Sequence, residues 1–172
     1  YEDGIYPEAG DYINRYSKDN SVDAYLRTIE EAKKETGIPV IASINCMSSG
    51  GWTDFAREIE KAGADALELN IFYVAQEKDR KAADYEKLYA DILTKVKNIV
   101  QIPIAVKIGY YFTNLVAMVD NLYLRGVAGV VMFNRFFEPD IDVEQMKITA
   151  SSVFSNESDL RQSLRWVGII SD

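Results

Sequence analysis

The chain has 172 residues, 48% of them hydrophobic, with no histidine, a single cysteine and a formal net charge of −8. That length supports one domain, residues 1–172, with a core of its own, and the acidic balance excludes nucleic acid and anionic membrane surfaces as partners, which need clustered Lys and Arg. Without histidine, and with only Cys46, neither an internal disulfide nor a zinc or non-haem iron site is expected.

No apolar run reaches the ~18 residues of a membrane span and no charged-then-apolar leader is visible, so a cytoplasmic protein is expected. The first residue is Tyr1, and "DLRQSLRWVGIISD" closes the chain on a helical pattern. A fragment of a longer protein is therefore expected.

From Ser21 to Thr36 the apolar positions Val22, Tyr25, Leu26, Ile29 and Ala32 recur at three- and four-residue steps, and Gly37 follows as a stop. This spacing predicts an amphipathic helix, and the "EEAKKE" within it is expected to be a solvated face with internal ion pairs. "IPVIASI", Ile38 to Ile44, reads as a buried parallel strand opened by Pro39. The loop "NCMSSGG" leads to a helix over about Thr53 to Ala62, and "GADALELN" carries the next strand. Cys46, with no base-like neighbour, is expected to be a small buried residue rather than a nucleophile.

The pattern then repeats. Tyr85, Leu88, Tyr89, Ile92, Val96 and Ile99 share one helical face, "IPIAVKIG" answers "IPVIASIN", and a helix over Asn114 to Arg125 precedes "GVAGVVMFN". Pro39 and Pro103 stand 64 residues apart, as do Asn70 and Asn134, so two similar βαβα units lie in tandem. Alternating strands and helices predict an α/β fold, either a doubly wound sheet or a (β/α)8 TIM barrel. No G-x-G-x-x-G follows any strand, which favours the barrel. Four strands make only part of a barrel of ~250 residues. Its open edges would be covered by the rest of a longer chain or by a second copy, and a homo-oligomer is expected.

In such barrels the active site lies where strands end, so polar residues closing apolar strands are the candidates: Ser43, Asn45, Asn70, Lys107, Asn134 and Arg135. Lys107 either points into the barrel mouth or snorkels at a sheet edge; strands buried on both faces tolerate such a charge only with a partner. Asn70 and Asn134 hold equivalent places in the two units. Singly, each amide could satisfy loop backbone; together with Lys107 they form a polar cluster facing one mouth.

The string "IPVIASINCMSSGGWTDFAREIEKAGADALELNIF", followed by "IPIAVKI" and "GVVMFN", resembles the dihydroorotate dehydrogenase family and the related flavin domain of dihydropyrimidine dehydrogenase. "FNRFFEPDIDVE" and "DLRQSLRWVGII" resemble a dihydroorotate-dehydrogenase-like branch of it. The resemblance implies a TIM barrel with FMN at its mouth. It places Lys107 beside the flavin pyrimidine ring, Asn70 at the opening of the motif N-[LI]-S-C-P-N, and Asn134 at the close of the later strand, both asparagines on substrate or flavin edges. It further implies abstraction of a carbon-bound proton from dihydroorotate or a related CH–CH substrate of pyrimidine metabolism, with hydride transfer to flavin N5. Electrons would leave to a quinone, fumarate or a nicotinamide-linked iron–sulfur partner.

Two positions depart from the motif. Tyr73 stands where the family has its Cys or Ser base, and Ala75 where it has a second asparagine; Arg135 replaces a Ser or Thr. A phenol has a reference pKa of ~10 and is a poor base at neutral pH unless that value is lowered. Tyr73 is thus the candidate at the base position. The resemblance also implies that the chain corresponds to strands three to six, lacks the FMN phosphate site, and has weak or no activity by itself. Two other readings stand beside it: a Schiff-base aldolase or lyase using Lys107, and a non-catalytic ligand-binding barrel.

Overall fold

The computed structural model describes residues 19–45, 49–135, 139–150 and 154–171; Cys46 lies outside them. Helix α1, Asp19–Glu35, is followed by β1, Ile41–Ile44, α2, Ser49–Lys61, and β2, Ala66–Asn70. The second unit comprises α3, Ala82–Lys97, β3, Ile104–Ile108, α4, Leu115–Leu124, and β4, Gly129–Met132. An antiparallel hairpin of β5, Pro139–Asp142, and β6, Lys147–Ala150, then leads to α5, Glu157–Ser171.

The four strands β1 to β4 form one sheet in chain order, every pair parallel. Along each of β1, β2 and β3, buried and more exposed residues alternate. Ala42, Ile44, Leu67, Leu69, Ile104, Val106 and Ile108 form the buried row, packed with Ile29 of α1, Ile59 of α2, Leu93 of α3 and Leu122 of α4. Helices α1 to α4 therefore cover the same face. That is the layering of a barrel wall; a doubly wound sheet is covered on both faces. The alternation corrects the expectation of strands buried on both faces: Ser43, Glu68, Asn70 and Lys107 occupy the face that carries no helix.

Each fully buried Leu or Val contributes about 1.5–3 kcal/mol of transfer free energy, so the alternating apolar row fixes which face meets the helices. A one-residue slip would turn that row outward. Polar side chains then set where elements start and stop. Asp65 accepts from Val40 N at 2.6 Å and pairs with Lys33 at 2.8 Å. The Val40 N–H is thereby taken by a side chain, and the strand begins at Ile41 rather than at the predicted Ile38. Glu60 of α2 accepts from Gln101 N at 2.6 Å and Ile102 N at 3.1 Å, anchoring the approach to β3. Asn114 caps α4 by accepting from Ala117 N at 3.0 Å.

The turns out of α2 and α4 pass through Gly63 (φ +89°) and Gly126 (φ +80°), left-handed conformations in which a side chain is strained. The free edge of β1 is blunted from within. The Tyr25 hydroxyl of α1 donates to Ser43 O and accepts from Ser43 N, both at 2.9 Å, filling two backbone positions that would otherwise face outward.

Candidate functional site

At the C-terminal ends of the strands, on the face without helices, polar side chains line up across the sheet. Ser43 Oγ donates to Glu68 Oε1 at 2.6 Å. Two residues along β2, Asn70 stands in register with Lys107 of β3, the neighbouring strand. In a parallel sheet, register partners present their side chains on one face. Asn70 Oδ1 is buried with no hydrogen-bond partner, and Lys107, half-buried, forms no ion pair among the described residues. An acceptor without a partner and an ammonium group without an ion pair among the described residues thus belong to register-paired residues.

Asn134 reaches the same place by another route. It is 5% exposed, and its Nδ2 donates to the carbonyl of Ile71 at 3.1 Å and, more distantly, to that of Lys107 at 3.5 Å. Its own N–H donates to Ile108 O at 2.8 Å. The amide nitrogen is engaged with the ends of β2 and β3. Its expected equivalence to Asn70 does not hold in space. Ile41 pairs with Ala66 but Ala105 with Gly129, an offset of 25 residues in the first unit and 24 in the second. Asn70 is the last residue of β2, whereas Asn134 lies beyond the end of β4.

The segment after Asn70 turns toward the helices. Ile71 is fully buried, Phe72 is exposed, and Tyr73, half-buried, packs against the core. Tyr73 lines a cleft shared with Tyr85 and Tyr89 of α3 and with Tyr111 and Phe112 of the β3–α4 loop; Ala75 is also on its wall. The structure thus joins Asn70, Lys107 and Asn134 at the strand ends and sets Tyr73 on the helix-side cleft. Arg135 is directed elsewhere, with its guanidinium donating to Phe154 O at 3.1 Å.

Two contributors went unremarked in the sequence. Glu68, two residues before Asn70, shares its face, and the alternation of "ALELN" is the signal that could have found it. Tyr89 appears in the helical stripe as a core residue, yet its hydroxyl donates to Ile71 O at 3.2 Å. Burial pushes that phenol up to about 12.

A one-sided parallel βα sheet with a polar row at its C-terminal strand ends defines part of a TIM-type barrel with its mouth. A solved structure of phosphonopyruvate hydrolase shares this fold, with a TM-score of 0.50 and 11% identity over 66% of this chain and 43% of that one. The family model of dihydroorotate dehydrogenase matches residues 5–154, and the chain belongs to that family.

An Aeropyrum pernix protein assigned to the fumarate type of dihydroorotate dehydrogenase A is 29% identical over 146 residues, 83% of this chain and 47% of the relative. The catalytic subunit of the NAD(+) type, dihydroorotate dehydrogenase B, from Anoxybacillus flavithermus is 30% identical over 112 residues, 64% of this chain and 36% of its own length. The chain spans less than half the length of these relatives. Among the described residues, no helix is long and apolar enough to cross a membrane.

Proposed function

We propose that this chain builds the central part of the mouth of an FMN-dependent oxidoreductase that oxidises dihydroorotate or a related CH–CH substrate. One observation carries the reading: Asn70 Oδ1, without a partner among the described residues, stands in register with Lys107, which forms no ion pair among them. A neighbouring acceptor and cationic donor match the alternating N–H and C=O groups of a pyrimidine edge. Bound FMN would supply the hydride acceptor.

In this reading Lys107 donates to the ring edge and places positive charge where negative charge develops. Asn70 Oδ1 accepts from a ring N–H. Asn134 borders the same group and holds the β2 and β3 ends in place by donating its side-chain Nδ2 to the carbonyls of Ile71 and Lys107. Tyr73, at the position of the family base and on the helix-side cleft, is proposed as the proton acceptor in its phenolate form. Family membership supports flavin chemistry over a Schiff base on Lys107. The same reading implies a cytoplasmic homo-oligomer acting on a small molecule and passing electrons to an acceptor.

The test is the visible absorption spectrum of the protein purified from its full reading frame without added cofactor. Flavin bands that bleach on addition of dihydroorotate support the proposal. A colourless protein that takes up no FMN overturns it. A second reading, flavin or pyrimidine binding without turnover, is favoured by the place of Tyr73 in the helix-side cleft. Bound flavin that no candidate substrate reduces would select it.

A further inference from the structure

Helix α3 carries two tyrosines one turn apart, Tyr85 at 8% and Tyr89 at 4% exposure. Their hydroxyls differ in use. Tyr85 Oη is buried without a partner among the described residues, whereas Tyr89 Oη donates to the Ile71 carbonyl and lies against the backbone N–H of Tyr73. The Ile71 carbonyl also accepts Asn134 Nδ2, so its oxygen receives donors from α3 and from the segment after β4. The Ile71 N–H donates to Leu69 O at 3.1 Å, and the Ile71 side chain is fully buried. Residue 71 is held through its N–H, its carbonyl and its side chain, immediately after Asn70. The Tyr89 ring also meets Phe112 edge-on, with centroids 5.3 Å apart, and so touches the loop that follows the strand of Lys107.

We infer that Tyr89 is a positioning residue for the mouth: from the outer helix layer its hydroxyl fixes the chain leaving β2, and with it the placement of Asn70 beside Lys107. Its consequence for cofactor binding rests on the flavin reading above; its geometry does not. Because burial raises the phenol to about 12, the hydroxyl stays a donor throughout the physiological range.

Tyr85→Phe provides a matched control, since it removes an equally buried hydroxyl from the same helix with no bond to lose. In the 172-residue chain, Tyr89→Phe is expected to move the side-chain amide NMR signals of both Asn70 and Asn134, while Tyr85→Phe leaves them in place. In protein from the full reading frame, Tyr89→Phe should weaken FMN binding roughly fivefold, the effect of one hydrogen bond, and Tyr85→Phe should not. Unmoved Asn70 and Asn134 signals in Tyr89→Phe, or equal shifts in both variants, would overturn the inference. If the wild type takes up no FMN, the flavin reading fails, and the amide signals still decide the role of Tyr89.

Discussion

A buried amide oxygen with no partner costs on the order of 1–3 kcal/mol, and Asn70 carries that cost at the end of a strand otherwise satisfied by its ladder. Replacing it with alanine removes the orphan together with the recognition group. Asn70→Ala should therefore unfold in urea at or above the wild-type midpoint, while FMN affinity falls roughly tenfold, the loss of one hydrogen bond in a desolvated site. A large fall in the midpoint would show that the amide serves the fold. Tyr73 poses the opposite question, because its ring already has a place among the tyrosines of the cleft. If its phenolate accepts the substrate proton, Tyr73→Phe should slow flavin reduction by about 10²-fold or more, the usual weight of a general base, with FMN binding unchanged. A rate equal to wild type would make Tyr73 a wall of the cleft.

Between elements, short polar links hold the layers in register. Lys33 on α1, Asp65 before β2 and Val40 before β1 meet at one carboxylate, and the Lys33 hydrogen bond, then the Val40 N–H, hold Asp65 below the ordinary carboxylate value of 3.8. A lowered folded-state value means that this link stabilises the fold above that ordinary value and is lost as pH falls through the lowered one. Asp65→Asn should unfold at lower urea than wild type at pH 7, with the gap narrowing as pH drops below 4. A gap that persisted unchanged in acid would assign the loss to packing.

The helices and parallel strands were legible because apolar residues recur at helical steps and in short β-branched runs. Lys107 and Asn70 were legible as polar residues closing such runs. The hairpin was not: its turn carries no Asn-Gly or Asp-Gly, and instead Asp142 accepts from Glu144 N and Gln145 N while Met146 takes a positive φ of 52°. The inequivalence of Asn70 and Asn134 was hidden too, because an equal spacing of 64 residues conceals a one-residue difference in strand offset. Spacing gives sequence distance; register depends on where each turn releases the chain.

Across the whole molecule, stability is concentrated in one layer. The central strands β2 and β3 are paired on both sides and carry Leu67, Leu69, Val106 and Ile108 at 0% exposure under the helices. Among the described residues the hairpin of β5 and β6 pairs only with itself and leaves Ile141 at 68%, Val143 at 79% and Ile148 at 77% exposure. A two-stranded ribbon without a buried face is marginal in water, while amides of a buried central strand open only with the domain. Native-state hydrogen exchange should therefore place Leu69 and Val106 in the slowest class, sensitive to low urea through global unfolding. Ile141 and Ile148 should exchange at least about 10²-fold faster through local opening that urea barely changes. Equal protection in hairpin and central strands would mean that the hairpin's apolar side is covered in solution. Addition of FMN or pyrimidine ligand to protein from the full reading frame would then separate the two regions further: a ligand held by Asn70 and Lys107 raises the protection of β2 and β3 by its binding free energy and leaves the hairpin's local opening unchanged.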